Sequence, residues 1–189
     1  MNIYLRRLGS FILDVLQSVV LALAIFMLAY LFAFQPHQVR GRSMLPNFQD
    51  GEYLLTDKVS YRTGVPKRGD VIVFAAPPNR NEDFIKRIIG LPGEMVSIKE
   101  GKISINNKVV DESYLPKTTN TLPGLFLSEG GSITLGHDEY FVMGDNRDHS
   151  SDSRIWGPIK REDIVGRAWV VYWPPQDAGP VPTVSYAGF

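Results

Sequence analysis

The sequence predicts a mostly-β fold, an antiparallel β-sheet domain tethered by one N-terminal transmembrane helix. Three observations predict it. After Asp14 no formally charged side chain appears until Arg40, and Val19 to Phe34 is apolar throughout except for Tyr30. Beyond Pro36 the apolar residues fall into short β-type runs. Between those runs lie most of the 17 Gly and 13 Pro, the punctuation of a turn-rich β domain.

The anchor comes first. Counted from Gln17 and Ser18, the apolar stretch reaches about the 20 residues a helix needs to cross the hydrocarbon core. A cleavable leader would have a shorter apolar region, roughly 7–15 residues, followed by a small-x-small site. Phe32-Ala33-Phe34-Gln35 is a poor match to such a site, so a retained anchor is expected over 11–35. Arg6 and Arg7 precede it and place an N-terminal segment, 1–10, in the cytoplasm by the positive-inside bias. The body, 36–189, is then outside, with Arg40 and Arg42 assigned to the folded domain.

In the body, Gln38 to Arg42 reads as an extended approach. Asp50-Gly51 is a turn before a strand from about Glu52 to Asp57. Lys67 to Asp70 turns the chain into a buried-looking strand, Val71 to Phe74. Pro77-Pro78-Asn79 breaks that run, and Phe84 to Ile89 is the next strand, ended by the turn residues Leu91-Pro92-Gly93. Met95–Ile98 and Lys102–Ile105 alternate apolar and polar residues around Glu100-Gly101, which predicts a hairpin with one solvated face. Asn106-Asn107 offers a further turn into Lys108-Val109-Val110. Together with a Thr-, Pro-, Gly- and Ser-rich excursion from Asp111 to Ser132, the hairpin makes a smaller subregion, about 95–137. Glu139 to Met143 is a strand leading into the polar loop Gly144 to Ser153. Ile164 to Trp173 is the last strand, and the tail to Phe189 reads as loosely ordered.

The totals narrow the function. A chain of 189 residues accommodates one domain and an anchor. Lys plus Arg and Asp plus Glu number 20 each, so no charge excess asks for a nucleic-acid partner. The absence of cysteine excludes disulfides, thiolate nucleophiles and Cys-based metal sites.

Two segments carry candidate chemistry. Gly41-Arg42-Ser43-Met44-Leu45-Pro46 holds a serine in a bend specified by a glycine and by a proline that restricts Leu45. A turn serine that bonds its own backbone is the commoner case. In Phe84-Ile85-Lys86-Arg87-Ile88-Ile89, strand geometry puts Lys86 on one face and Arg87 on the other, each among apolar neighbours. Arginine stays charged wherever it is placed, whereas burial lowers a lysine pKa. A neutral Lys86 amine can take a proton from Ser43; a snorkelling lysine cannot. The densest polar stretch is Gly144-Asp145-Asn146-Arg147-Asp148-His149-Ser150-Ser151-Asp152-Ser153-Arg154. Its acids alternate with arginines and lack Ca²⁺-loop spacing, so no metal and no cofactor is expected. A Ser-His-Asp triad through His149 is the weaker alternative, since triads are defined by geometry and not by order.

Ser43-Met44-Leu45-Pro46 after an anchor, the run Phe84 to Glu94 and the run Gly144 to Arg154, in that order, closely resemble the type I signal peptidases. The resemblance extends from the anchor to about Trp173. It implies a serine endopeptidase with a Ser/Lys dyad that removes signal peptides from secreted preproteins on the outer side of the cytoplasmic membrane, and a β domain resting on that membrane. Ser43 matches the nucleophile, Lys86 the general base and Ser150 the hydroxyl that orients the amine. Asp152 with Arg154, and Asp145 with Arg147 nearby, match residues supporting the site. Met44, Pro46 and Ile85 are expected at the turn or the substrate. Implied partners are preproteins, the bilayer and the secretion translocon. Gly41 stands where some members carry a serine that helps hold the oxyanion, so here the Ser43 N–H is the expected donor. Leu45, Phe48, Phe74 and Trp169 to Trp173 are candidates for the bilayer interface, with core packing favoured for Phe74 and most of the last strand. A soluble Ser/Lys repressor-type peptidase would lack the anchor. A catalytically silent, membrane-tethered β module binding preproteins would not need both Ser43 and Lys86.

Overall fold

The computed structural model describes residues 3–184 and 186, with α1 side chains from Arg7 onward. The Arg6 side chain and residues 187–189, on which the readings of N-terminal charge and tail bear, lie outside the described residues. Helix α1 (Ile3–Ala33) has 31 residues, about 46 Å of rise. Within it, Arg7–Ala33 is long and apolar enough to cross a membrane, and none of its most apolar window is covered by the rest of the chain. A helix apolar on all sides and uncovered needs an apolar solvent. It ends at Ala33, so Phe34 and Gln35, read as the end of the anchor, belong to the first strand.

The domain is built on two antiparallel sheets. The larger contains β1 (Phe34–Gln38), β2 (Tyr53–Asp57), β3 (Val71–Ala76), β4 (Asn79–Gly90), β9 (Glu139–Met143), β10 (Ile159–Lys160), β11 (Ile164–Trp173) and β12 (Gly179–Pro180). Its order is β1-β2-β11-β3-β4-β9-β10, with β12 beside β11. The smaller has the order β7-β6-β5-β8 and is made of β5 (Met95–Lys99), β6 (Lys102–Ile105), β7 (Lys108–Val109) and β8 (Ser132–Thr134). Short helices α2 (Ser60–Thr63) and α3 (Ser153–Trp156) complete it.

Three apolar clusters hold this together. Ile72, Phe74, Ile88, Val142 and Ile164 pack on one side of the large sheet, joined by Trp156. Val71, Val73, Leu54 and Ala168 face the other way and receive Val39, Met44 and Phe48 from the segment after β1. Ile89, Phe141 and Met143 join the large sheet to Val96, Ile98, Ile103 and Ile105 of the small one. Phe74 and Phe48 are therefore core residues and not bilayer-facing, at 0% and 2% exposure. Trp169, Tyr172 and Trp173 of β11 do stand in solvent, at 42%, 42% and 54%.

Three differences from the sequence reading have physical reasons. A strand runs through Pro36 because β1 lies at the sheet edge, where a missing N–H leaves no ladder bond unmade. Pro77-Pro78 does not end the sheet but turns β3 into β4, which starts at Asn79 and spans 12 residues. The tail is docked: Gly179 and Pro180 pair with Val171 and Val170, and Tyr186 is buried with its ring edge-on to Tyr114. The excursion after β7 is irregular, yet Leu115, Thr121 and Leu127 are buried and pin it.

Phe141, fully buried where the two sheets meet, is the test of their unity. Phe141→Ala is expected to destabilise the protein by about 3–5 kcal/mol, seen as one lowered thermal transition in detergent. Two separated transitions would mean that the sheets unfold independently.

Candidate active site

Ser43 sits on a turn fixed from both sides. Gly41 has φ +87°, a conformation that favours glycine, and its N–H donates to Asp50 Oδ1 at 2.8 Å. Met44 is 1% exposed and points into the core with Phe48, whose N–H donates to the Met44 carbonyl at 3.0 Å. The polar loop holds the other side. The Asn146 N–H donates to the Ser43 carbonyl and its side-chain amide to the Arg42 carbonyl, each at 3.0 Å. Asn47 reaches Asp145 Oδ2 at 2.8 Å. Met44 thus works as an inward anchor of the turn, while Pro46, after a cis Leu45–Pro46 peptide, lies exposed on it.

Lys86 comes from β4, opposite Ile72 of β3. Only 4% of it is exposed. Its Nζ lies 2.8 Å from Ser43 Oγ, donates to the Ile85 carbonyl at 2.9 Å and stands 5.3 Å from the Phe84 ring centre. Burial lowers its pKa from 10.5 to about 8, against the opposing pull of the Asp152 and Asp145 carboxylates.

The neighbouring Arg87 has a different fate. It is 3% exposed and clamps Asp145 with two bonds, Nε to Oδ1 at 2.8 Å and Nη2 to Oδ2 at 2.7 Å, with Nη1 on the Gly69 carbonyl at 2.9 Å. Burial opposes its charge, but Asp145 more than offsets this and its pKa is raised. Arg147 does not pair within the loop. It bonds Glu112, Thr121 and the Tyr114 hydroxyl of the excursion, and the Gly144 carbonyl at 3.0 Å. Asp152 does pair with Arg154, through Nε and Nη2 at 2.8 Å each, and accepts the Gly144 N–H at 3.0 Å. Sequence reasoning assigned no role to Arg87, Asn47, Asn146 or Glu112. The available signal was a second cation within the apolar run of β4.

Ser150 is a correction. Its hydroxyl was expected on the Lys86 amine, but it is buried with no hydrogen-bond partner. It packs instead against Gly144, where an added Cβ would meet Ser150 Oγ at 2.2 Å and the Ser43 carbonyl oxygen at 2.4 Å. The Lys86 amine is turned to Ser43 and Ile85. His149 is exposed on a 3-10 turn, Arg147–His149, and has no bond to Ser43, so no triad forms. Among the described residues no cluster of three or more His, Asp or Glu could hold a metal ion.

The pair opens onto a groove of about 730 Å³. One wall is Pro36 to Arg40 and the other Asn81 to Lys86, with Ser43 and Ser151 at the end. Ile85 lines it as well. Among the described residues both walls carry unpaired strand edge: β1 pairs only with β2, and β4 pairs with β9 only from Arg87 onward. His37, which bonds Thr56 at 2.8 Å, reaches across to Asp83 at 3.2 Å.

Two substitutions test the electrostatics. Asp145→Asn leaves the buried Arg87 charge uncompensated and is expected to cost about 3–5 kcal/mol, read as a fall in thermal midpoint. Lys86→Met has the opposite sign. Unfolded, the amine holds its proton up to about 10.5; folded, only to about 8. Stability therefore rises with pH between those values, and below about 8 the whole penalty is present, roughly 3 kcal/mol. Lys86→Met removes it, so the variant is expected to melt several degrees above wild type at pH 7. An unchanged or lower midpoint would contradict the depressed pKa.

Comparison with known proteins gives the family of the chain. The family described as "Signal peptidase, peptidase S26" matches residues 12–173. Signal peptidase I of Leptolyngbya laminosa is 37% identical over 177 residues, covering 89% of this chain and 82% of that protein. Signal peptidase IB of Staphylococcus aureus (strain COL) is 35% identical over 174 residues, 86% of this chain and 90% of its own. A probable signal peptidase I-2 of Synechocystis is 38% identical over 148 residues, 76% of this chain and 65% of its own. A crystal structure of a signal peptidase I from Enterococcus faecalis is similar at a TM-score of 0.47 and 32% identity, covering 55% of this chain and 97% of that one. The chain belongs to the signal peptidase family, peptidase S26.

Proposed function

We propose that Ser43 is the nucleophile and Lys86 the general base of this chain. The chain is a serine endopeptidase that removes signal peptides from preproteins. The observation that carries the residue assignment is the 2.8 Å contact between a serine hydroxyl and a buried lysine amine whose pKa is lowered to about 8.

The reaction follows from that contact. The neutral Lys86 amine takes the Ser43 proton as Oγ attacks the carbonyl before the bond to be cut. The Ser43 N–H faces the oxyanion, Gly41 having no side chain to offer and its own N–H being committed to Asp50. The Lys86 ammonium then returns the proton to the leaving amine, which departs with the mature protein. Water attacks the acyl-enzyme, giving a proton to Lys86, which passes it to Oγ as the acyl C–Oγ bond breaks, so that the Ser43 hydroxyl and the neutral amine are restored. At pH 7 a lysine of pKa about 8 is mostly protonated. A substrate covering the groove takes further water from the amine and favours its neutral form. Asp145, Arg87, Asp152 and Arg154 act through position, by holding the loop that grips the Ser43 turn.

The substrate lies extended in the groove as an added strand between the edges of β1 and β4. α1 crosses the cytoplasmic membrane with its N-terminus inside, so the domain works on the extracytoplasmic side, beside the bilayer and the translocon that delivers preproteins. The exposed Trp169, Tyr172 and Trp173 suit the headgroup layer.

Cleavage of a signal-peptide-bearing preprotein in liposomes tests the assignment. Ser43→Ala and Lys86→Met are expected to be inactive while folded. For wild type, kcat/KM is expected to rise about tenfold per pH unit and level off near pH 8. A folded Lys86→Met with near-normal rate, or a pH limb near 6.5, would remove Lys86 from the base role.

A further inference from the structure

We propose that the C-terminal tail is a positioning element of the site. The Tyr186 ring, with Tyr114, closes the Arg87–Asp145 pair from water and so keeps rigid the loop that holds Ser43 against Lys86. This rests on the reading of Ser43 and Lys86 above, and goes beyond it by giving the tail a part in the rate.

The tail lies past residue 173, where the family match ends. Beyond β12 it stays attached to the domain. The Val181 N–H donates to the Trp169 carbonyl at 2.9 Å. Val184 and Tyr186 then pack into the cluster of Ile89, Phe141 and Met143, and Tyr186 is 8% exposed. Its hydroxyl is buried and has no hydrogen-bond partner among the described residues. An unpaired buried hydroxyl stabilises nothing, so the ring is what this position uses.

Three elements meet around the Arg87 guanidinium. The Tyr114 ring of the excursion covers it, with 4.4 Å to the ring centre. Tyr186 stands edge-on to Tyr114, their centres 6.1 Å apart and their planes at 78°. Gly69 is the third, and its carbonyl accepts from Arg87 Nη1 at 2.9 Å. The tail packs directly on Gly69. An added Cβ there would meet the Val184 carbonyl oxygen at 2.8 Å and Tyr186 Cε2 at 2.9 Å. The tail thus presses both on the residue that holds one arm of Arg87 and on the ring that covers its face.

Under this cover the Arg87 and Asp145 side chains are 3% and 1% exposed. Without water the bonds of the pair are stronger, and any departure from them costs more. Water let in beside the pair would offer both partners other bonds and lower that cost. The effect would travel to the serine. Asp145 holds Asn47, four residues past Ser43, and Asn146, next after Asp145, donates to the Ser43 carbonyl. A loosened Ser43 loses rate and not binding, because no described tail residue lines the groove.

The test compares full-length wild type, Tyr186→Ala and Tyr186→Phe in liposomes on one preprotein. Tyr186→Ala is expected to lose about tenfold in kcat with KM unchanged, and Tyr186→Phe to match wild type. Hydrogen exchange supplies the local readout. In Tyr186→Ala the Asn146 amide is expected to exchange faster, while the amides of β3 keep their wild-type rates. Equal kcat in all three proteins would overturn the proposal. So would exchange speeded equally throughout the domain, the mark of a part in stability alone. Should Tyr186→Ala fail to fold, Tyr186→Leu carries the same comparison, keeping apolar bulk in the cluster but no ring edge against Tyr114. A Ser43→Ala variant that still cuts would instead bring down the Ser43/Lys86 reading, and the tail's part in the rate with it.

Discussion

A lysine almost removed from water does not stay there unaided, and the fold around Lys86 is largely an arrangement to keep it in place. Lys86 is 4% exposed and the cost of protonating its amine is partly offset by the Asp152 and Asp145 carboxylates. Neither carboxylate bonds the amine. Each is occupied by an arginine, Asp145 by Arg87 and Asp152 by Arg154. Were either free to pair with Lys86 directly, the ammonium would be held as in an ordinary salt bridge and its pKa would rise. The two arginines therefore keep negative charge close enough to make the buried amine tolerable, yet committed elsewhere. This is a physical reason for four further charged groups around a two-residue site.

The same network solves a positional problem. Ser43 and Lys86 come from segments far apart in the chain, and the turn bearing Ser43 has no strand partner of its own. The loop after β9 supplies the connection. Asn146 grips the backbone on either side of Arg42–Ser43, Asn47 bonds Asp145, and Asp145 bonds Arg87, the residue next to Lys86. The serine turn and the lysine strand are thus tied through one carboxylate. Met44 completes the arrangement from the apolar side by burying its side chain among Leu54, Val71 and Val73. Polar bonds set the turn's orientation, and burial sets its depth.

Much of this was legible in the sequence, and what was not has a common cause. Strand periodicity separated Lys86 from Arg87 onto opposite faces, and the chemistry of the two cations then sorted their fates: Arg87 is buried against a carboxylate, Lys86 against a hydroxyl. Alternation also marked the hairpin of β5 and β6. Partners that depend on long-range closure were not legible. Asp145 reads as a match for nearby Arg147, but the 3-10 turn after Asn146 directs Arg147 outward to Glu112 and Thr121. Ser150 is placed by the close approach of Gly144 to the Ser43 carbonyl, a backbone contact with no side-chain pattern. β12 and β1 escaped notice because two residues and a proline-containing stretch carry no strand signal; β11 and β2 create those strands by pairing with them.

The sheet order also gives the groove a direction. Between β1 and β4 lie four antiparallel pairings, β1 with β2, β2 with β11, β11 with β3 and β3 with β4. An even number of reversals leaves β1 and β4 parallel, both running from the anchor end toward Ser43 and Lys86. The His37–Asp83 contact marks corresponding levels on the two walls, three residues before Lys86 on β4. In the proposed reading, a substrate strand that starts at the membrane and is cut at Ser43 runs parallel to both edges. That is the polarity of a signal peptide, whose apolar part precedes its cleavage site in the chain. The topology accepts such a strand in this sense, and its reverse would bring to Ser43 the end of the substrate that lies in the membrane.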